Sequence, residues 1–159
     1  MKKVKIKLNG GIMPKKASEY AAAYDVYAPE DIDLHIGRQV VDLKFSIELP
    51  HGYAAVIQPR SGFSSNGVET VGIAGEYEAV VRVDADVLLG LIDEDYRGSV
   101  GVIIKVATLN PLLVKTYISK GTRIAQMRIV RVPETELVEV SELDMSNDRG
   151  GGFGHTGCK

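Results

Sequence analysis

The chain has 159 residues, 45% of them hydrophobic and 25% charged, with a formal net charge of −2 at pH 7. These values are typical of a single globular domain with a buried core, and they give no reason to expect nucleic acid or an anionic membrane as a partner. The single cysteine, Cys158, excludes an internal disulfide, and neither a membrane-spanning apolar run nor a signal peptide is evident, so we expect a cytoplasmic location.

Alternation of apolar and polar residues predicts the strands in the first part of the chain. Residues 3–8 are predicted to form a strand with one solvent-exposed face. Residues 14–23 have no apolar stripe and are expected to be irregular, with at most a turn of helix. The cleanest alternation lies at residues 41–49 and predicts a half-buried strand. A turn at Pro50-His51-Gly52 and a strand over Tyr53–Gln58 follow.

The second part of the chain predicts further short strands. Residues 62–76 hold several glycines and serines and are interpreted as a loop with a short strand at 71–74. From residue 146 onward the chain is glycine-rich and polar, so we expect this tail to be mobile when alone. Eight or more short strands predict an all-β sandwich or barrel in one domain. The other predicted strands are at 80–89, 100–106, 112–118, 124–132 and 137–140.

A polar stretch between two predicted strands is the first candidate site. Residues 90–98 place four charged side chains and a tyrosine between two glycines. For an isolated Asp-Glu-Asp segment, a simple turn and a functional site are equally acceptable interpretations. A second cluster, Pro59-Arg60-Ser61-Gly62, favours a site. Its arginine can bind phosphate through two hydrogen bonds, and its glycine lets backbone N–H groups approach an anion.

Carboxylates and the tail extend this chemistry. Asp25 and Asp93 are suited to a hard cation such as Mg²⁺ or to orienting a water molecule. Arg123 and Gln126 lie near the start of a further strand. The tail carries a cation, hydrogen-bond donors, glycine hinges and one aromatic ring, although a tail of this composition is also typical of a disordered end. Together these residues fit a phosphoester ligand with a metal.

Five polar motifs follow one another at residues 24–28, 59–62, 90–98, 121–126 and 149–157. In amino-acid sequence and in order they resemble the five motifs of the trimeric dUTP diphosphatases (dUTPases), and the resemblance covers nearly the whole chain. The resemblance implies an all-β, jelly-roll-like β-barrel or sandwich that forms a homotrimer with shared active sites. Residues 1–145 would form the β domain, and residues 146–159 a flexible arm that closes over an active site.

The family reaction, as the resemblance implies it, is hydrolysis of dUTP to dUMP and diphosphate, with Mg²⁺ on the triphosphate. This reaction keeps uracil out of DNA and supplies dUMP for dTMP synthesis. Asp93 would hold and activate the water that attacks the α-phosphorus, and Gln126 would reach the phosphates or that water. Asp25 would bond the water shell of the metal. Arg60, Ser61 and Gly62 would bind the α- and β-phosphates, with Arg60 counted among the catalytic residues.

The resemblance also implies how the nucleoside is recognised. Tyr96 would pack beneath the deoxyribose and exclude a 2′-hydroxyl. Uracil would enter a β-hairpin before Asp93 and be read largely by backbone groups. The residues implied for this reading are Val87, Leu88 and Leu89. In the tail, Phe153 would stack on the uracil, and the γ-phosphate would be clamped by Arg149, His155 and Thr156. Gly154 would also belong to the substrate-binding residues.

Several charged residues near these motifs are expected to be structural. Asp95 and Arg97 are predicted to form a salt bridge near the turn, Glu94 to be a solvated loop charge, and His51 to be a surface histidine. The chain also departs from the family pattern. Segment 66–86 is longer than usual, and we predict an extra hairpin with residues 75–78 at its tip, on the outer rim near the active-site mouth. The smaller departures are Ala23 in place of glycine, Thr122 in place of an acidic residue, and a short spacing from Arg149 to Phe153.

Two alternatives remain open. The first is a dCTP deaminase-type relative with the same fold, whose chemistry uses a glutamate shortly after the third motif. Residues 100–105 contain no glutamate, and Arg60-Ser61 is followed by Gly62 rather than a second serine. The second is a catalytically weak nucleotide-sensing or protein-binding module. No nucleic acid or membrane partner is expected in either case.

Overall fold

Short strands dominate the chain, as the sequence predicts. The computed structural model describes residues 2–148 and residue 150. Within this part, no helix is long and apolar enough to cross a membrane. In chain order the elements are β1 (Lys5–Leu8), β2 (Tyr24–Tyr27), β3 (Ile32–Asp33), β4 (Gly37–Glu48), β5 (Tyr53–Gln58), α1 (Ser61–Asn66), β6 (Val68–Ala74), β7 (Tyr77–Val83), β8 (Ala85–Leu88), β9 (Gly90–Ile92), β10 (Ser99–Val106), β11 (Lys115–Ile118) and β12 (Arg123–Arg131).

The strands form three four-stranded antiparallel sheets. Their orders are β1-β4-β10-β8, β3-β11-β6-β7 and β2-β12-β5-β9. Strands that follow one another in sequence mostly belong to different sheets, which is typical of jelly-roll connections. The all-β, jelly-roll-like fold is therefore confirmed, and the β2-β12-β5-β9 sheet carries parts of three of the five motifs, on β2, β9 and β12.

The core forms where the alternating strands turn their apolar faces inward. In β4 the side chains of Leu43, Phe45 and Ile47 are buried, while Asp42 and Glu48 on the opposite face are exposed. Burial of a side chain of this size contributes about 1.5–3 kcal/mol. Apolar residues of β10 and β12 complete the same cluster. This continuous core fixes the strand ends from which the candidate site residues project.

Three local predictions are wrong. Residues 62–76 are not mainly a loop, because α1 begins at Ser61 and β6, which contains the predicted short strand 71–74, runs over Val68–Ala74. The predicted strand 80–89 is divided at Asp84, where the chain passes from β7 in one sheet to β8 in another. Residues 137–140 form no strand and are exposed, since no strand of the described chain pairs with them.

The extended segment forms a hairpin. β6 and β7 pair over their whole length, from Val68 opposite Val83 to Ala74 opposite Tyr77. Gly75, with a φ of 62°, lies at the turn between them, and a left-handed backbone of this kind favours glycine. The predicted extra hairpin, with residues 75–78 at its tip, is therefore present. Its place on the outer rim near an active-site mouth stays a prediction.

Candidate active site

A buried carboxylate organises the first cluster of candidate residues. Asp25 on β2 is only 2% exposed. Its Oδ1 accepts hydrogen bonds from Arg60 Nε at 3.0 Å and Gln126 Nε2 at 3.4 Å. Its Oδ2 accepts a third bond from Arg123 Nη1 at 3.5 Å. Three of the sequence motifs thus converge on one buried side chain, whose negative charge is compensated by these donors.

Strand register explains why these residues meet. In the shared sheet, Gln126 of β12 lies opposite Asp25 of β2 on one side and opposite Gln58 of β5 on the other. Arg60 follows Gln58 closely, just beyond the end of β5, so its side chain reaches back across β12 to Asp25. Arg123 is the first residue of β12 and lies at the same end of the sheet as Arg60. No role in the site was predicted for Arg123, because its contact with Asp25 depends on a strand pairing that the sequence alone does not reveal.

The environment of Asp25 fits an indirect metal role better than direct ligation. Its two oxygens are already engaged by two guanidinium groups and one amide. Within residues 2–148 and 150, no three His, Cys, Asp or Glu side chains come together as a metal cluster. A hard cation needs several oxygen ligands, so phosphate oxygens of a bound nucleotide would have to supply most of them. Asp25 is better placed to act through a bridging water or through the arginines it holds than as a direct ligand.

The second group of candidate residues follows β9. Asp93 is exposed directly after Ile92, and its carbonyl accepts a hydrogen bond from Tyr96 N at 3.2 Å that closes a turn. The guanidinium of Arg97 donates to the carbonyl oxygens of Glu94 at 2.6 Å and Tyr96 at 2.9 Å. The predicted salt bridge between Asp95 and Arg97 is therefore wrong. Arg97 instead holds the turn by bonding its backbone.

Glu94 is also not the simple solvated charge that was predicted. Its carboxylate accepts a hydrogen bond from Gly52 N at 2.7 Å and lies 3.1 Å from His51 Nδ1. The bond from Gly52, followed by the one with His51, holds the pKa of Glu94 below its ordinary value. The same carboxylate raises the pKa of His51, which is a surface histidine as predicted, with 82% of its side chain exposed. Glu94 thus links the turn after β4 to the Asp93 loop.

Tyr96 forms one wall of an apolar cavity of about 360 Å³. Its hydroxyl donates to the carbonyl of Ser99 at 2.9 Å, which fixes the ring above the loop. The other walls come from five different strands, β4, β5, β8, β9 and β10. Their lining side chains include Val40, Ile57, Leu88, Leu91 and Ile103. A largely apolar cavity with one aromatic wall suits the flat, weakly polar part of a ligand such as a nucleoside.

The implied hairpin at Val87–Leu89 differs from the observed geometry. β8 pairs with β10, whereas β9 pairs with β5, and no ladder joins β8 to β9 among the described strands. The reason is that the chain changes sheets at Leu89. Along this stretch the side chain of Val87 is buried, that of Leu88 reaches the cavity, and that of Leu89 is exposed. The two strands diverge, so a simple hairpin is the wrong description.

The two groups of residues lie at opposite ends of β5. Ile92 pairs with Ala55 near the start of β5, and Asp93 continues past that end. Arg60 lies beyond the other end, after Gln58. At about 3.3 Å per residue, the backbones of Asp93 and Arg60 are roughly 20 Å apart along the strand. One chain therefore does not bring its own Asp93 and Tyr96 to the Asp25 cluster.

The remaining candidates belong to α1 and the tail. Ser61 and Gly62 open α1 beside Arg60, and both are exposed. A Cβ atom at Gly62 would meet nothing within 4 Å, so space for a ligand exists beside its backbone. The tail candidates lie outside the described residues. They are Arg149, Phe153, Gly154, His155 and Thr156.

Comparison with known proteins places the chain in a family. A family model described as dUTPase matches residues 9–85 and 82–157. The deoxyuridine 5′-triphosphate nucleotidohydrolase of Variola virus is 37% identical over 148 residues, covering 92% of this chain and 86% of the relative. The enzyme of the same name from Hydrogenobaculum sp. is 37% identical over 150 residues, covering 92% of this chain and 91% of the relative.

Solved structures agree with the fold. The dUTPase of Staphylococcus bacteriophage 80alpha with dUPNHPP has a TM-score of 0.76 at 24% identity, covering 98% of this chain and 99% of the other. The dUTPase of phage phi11 of S. aureus, described with a structural Mg(II) ion, has a TM-score of 0.69 at 22% identity, covering 88% and 97%. The five motifs, the sheet topology and these matches lead to one conclusion: the chain belongs to the dUTPase family.

Proposed function

We propose that the protein hydrolyses dUTP to dUMP and diphosphate, with water attacking the α-phosphorus. Such an activity keeps uracil out of DNA and supplies dUMP for dTMP synthesis. The observation that carries the proposal is the Asp25 cluster, in which a buried carboxylate orients Arg60 and Gln126 of two family motifs. Relatives at 37% identity carry the name of this activity.

The Asp25 cluster suits binding of a triphosphate. Arg60 is anchored through Nε, which leaves its two terminal nitrogens for phosphate oxygens. Ser61 and Gly62 add a hydroxyl and accessible backbone beside it. The negative charge that grows on the phosphate oxygens and on the leaving diphosphate is stabilised by such fixed cations, because they need no reorganisation during the reaction.

Mg²⁺ fits this site as a companion of the triphosphate. When bound, it neutralises phosphate charge and favours departure of diphosphate. The dUTPase of phage phi11 is described with a structural Mg(II) ion, which is a different role from the triphosphate-bound ion proposed for this chain. In this chain, Asp25 would contact the water shell of the metal, because its oxygens are already engaged by Arg60, Arg123 and Gln126.

Asp93 and the Tyr96 cavity form the nucleoside end of the proposed site. Asp93 is exposed after β9 and is free to hold the attacking water as a general base. Tyr96, fixed by its bond to Ser99, would pack against the deoxyribose and exclude a 2′-hydroxyl. The divergence of β8 and β9 supports uracil recognition at Val87–Leu89, since the backbone groups there do not pair with each other.

A homotrimer is the assembly that we propose for this chain. Two separate features support shared active sites. The Asp93 loop and the Asp25 cluster lie at opposite ends of β5, so a complete site needs residues from more than one chain. Segment 133–145 is exposed throughout although it carries several large apolar side chains, which another copy can cover. These side chains are Leu137, Val138, Val140, Leu143 and Met145.

The tail completes the proposal. Residues 146–159 would close over a site formed by other subunits. Phe153 would stack on the uracil, and Arg149 would bind the γ-phosphate with Gly154, His155 and Thr156 nearby. A chain lacking residues 149–159 is expected to keep its fold, because the three described sheets are formed within residues 5–131. It should lose most of its turnover, because the proposed contacts with the γ-phosphate and the uracil would be removed.

Replacing Asp93 with Asn tests the catalytic assignment. The amide keeps the shape of the side chain but is not a base, so we expect kcat to fall by roughly 10²–10⁴-fold while a non-hydrolysable dUTP analogue still binds. The neighbouring Asp95→Asn variant is the matched control and should retain turnover. Turnover of Asp93→Asn close to that of the unaltered chain would contradict the role of this residue.

A further inference from the structure

A second cation-lined surface adjoins the Asp25 cluster. A polar cavity of about 530 Å³ lies between α1, the start of β12 and the β6–β7 hairpin. Arg60 and Arg123 of the cluster line it on one side, and Arg82 of β7 lines it on another. Glu69 of β6 is the one carboxylate among the lining residues. Three guanidinium groups against Glu69 and the buried Asp25 leave an excess of positive charge, which predicts an anionic ligand.

Arg82 differs from the other two arginines in what holds it. Arg60 and Arg123 both donate hydrogen bonds to the buried Asp25, and these bonds fix the orientation of their side chains. Arg82 is the cross-strand neighbour of Glu69, and their charged atoms are 3.6 Å apart. Both of these side chains are more than half exposed. An exposed ion pair at this distance is weak, so Arg82 can exchange Glu69 for a stronger anionic partner.

We propose that Arg82 is a further phosphate-binding residue, through which the β6–β7 hairpin contacts the terminal phosphates of the substrate and the diphosphate product. The proposal rests on the proposed dUTP hydrolysis and extends the site beyond the five motifs. Its support is the continuity of one cavity from Arg60 to Arg82 and the excess of cations around it. Glu69 competes with the anion for Arg82, which limits product affinity and favours its release.

Binding of inorganic pyrophosphate to the full chain tests this assignment directly. Calorimetric titration of Arg82→Ala should give a Kd about tenfold higher than that of the unaltered chain, the loss expected for one charge-assisted contact. Glu69→Gln should shift the Kd in the opposite direction, because the competing carboxylate is gone. Arg131→Ala removes the same charge from an exposed position at the far end of β12 and serves as the matched control.

The nucleotide end of the site provides a second readout. Inhibition by dUMP, which lacks the terminal phosphates, should be the same in Arg82→Ala and the unaltered chain. Arg82→Lys should recover part of the pyrophosphate affinity, since it restores the charge without the planar fork. A pyrophosphate Kd for Arg82→Ala within about twofold of the unaltered value would overturn the assignment, as would an equal loss in Arg131→Ala. Turnover of dUTP by the unaltered chain tests the proposed function separately from this comparison.

Discussion

Replacing Asp25 with Asn should destabilise the protein and disorder its phosphate-binding residues together. The amide has nearly the same shape, and its oxygen can still accept the bond from Arg60 Nε. Its NH₂ group, however, would then take the place of Oδ2 and face another donor, Arg123 Nη1. Removal of the charge also leaves two guanidinium groups without their shared counter-ion.

The magnitude follows from burial. Breaking a fully buried ion pair by removing one partner costs about 3–5 kcal/mol. The Asp25 side chain is 3% exposed, but those of Arg60 and Arg123 are 24% and 51% exposed, so water can solvate part of the released charge. We therefore expect Asp25→Asn to lower the free energy of unfolding by about 2–3 kcal/mol. Turnover should fall as well, because Arg60 and Gln126 lose their common anchor.

Urea unfolding followed by circular dichroism, at one fixed protein concentration, measures this loss. Asp33→Asn is the matched control, because Asp33 also bonds a cation, Lys115 Nζ at 2.8 Å, but with both partners on the surface. Asp33→Asn should lower the free energy of unfolding much less than Asp25→Asn, although its ion pair is shorter than the 3.0 Å pair of Arg60 and Asp25, since exposed pairs are screened by water. An Asp25→Asn variant as stable as the unaltered chain, or no more affected than Asp33→Asn, would refute the reasoning.

Two further predictions concern the Asp93 loop. A Cβ atom at Gly98 would lie 2.6 Å from Cζ of Tyr96, so Gly98→Ala should displace the phenol ring from Ser99. We expect a higher KM for dUTP in steady-state kinetics, and an unchanged KM would contradict the role of the ring. Glu94 raises the pKa of His51 above its ordinary value of 6.5, so the stability that His51 contributes is fully present below about pH 6.5 and is lost as pH rises through the folded-state pKa. The difference in urea midpoint between the unaltered chain and His51→Asn should therefore be larger at pH 5.5 than at pH 8.5, and a difference independent of pH would argue against the ion pair.

Strands with one buried face were the most predictable part of the fold. The alternation at 41–49 predicted most of β4, and the strand predicted over Tyr53–Gln58 has the same bounds in the structure. Side chains of a strand alternate between faces, so a half-buried strand leaves its pattern in the sequence. The start of β4 at Gly37 was missed because its first residues, up to Val40, do not bury an apolar face.

Elements without such a pattern were misread. α1 is six residues long, rich in serine, and buries only Phe63, so neither propensity nor an apolar stripe marks it as helix. Residues 137–140 alternate like a strand, yet Leu137 is fully exposed and the described chain offers no pairing strand. A pattern shows that a segment can pair, but it does not show whether the partner belongs to the same chain.

The candidate site was predictable in its residues and less so in its connections. Motif wording singled out Asp25, Arg60 and Gln126, and the structure brings these three together. The motifs did not predict that Arg123 bonds the same carboxylate, or that Glu94 accepts a hydrogen bond from Gly52 in the turn after β4. Both contacts join segments far apart in sequence, and they depend on strand register and loop packing that no local pattern encodes.

Release of pyrophosphate from dUTP, dCTP, dTTP and UTP, each with Mg²⁺ and with EDTA, tests the central claim most directly. We predict turnover of dUTP alone, lost in EDTA, because the proposed site reads uracil and deoxyribose and binds the triphosphate with its metal. Release of ammonia from dCTP would instead indicate a deaminase-type relative. Absence of turnover with all four nucleotides would contradict the proposed hydrolysis and favour a nucleotide-sensing or protein-binding module on this fold.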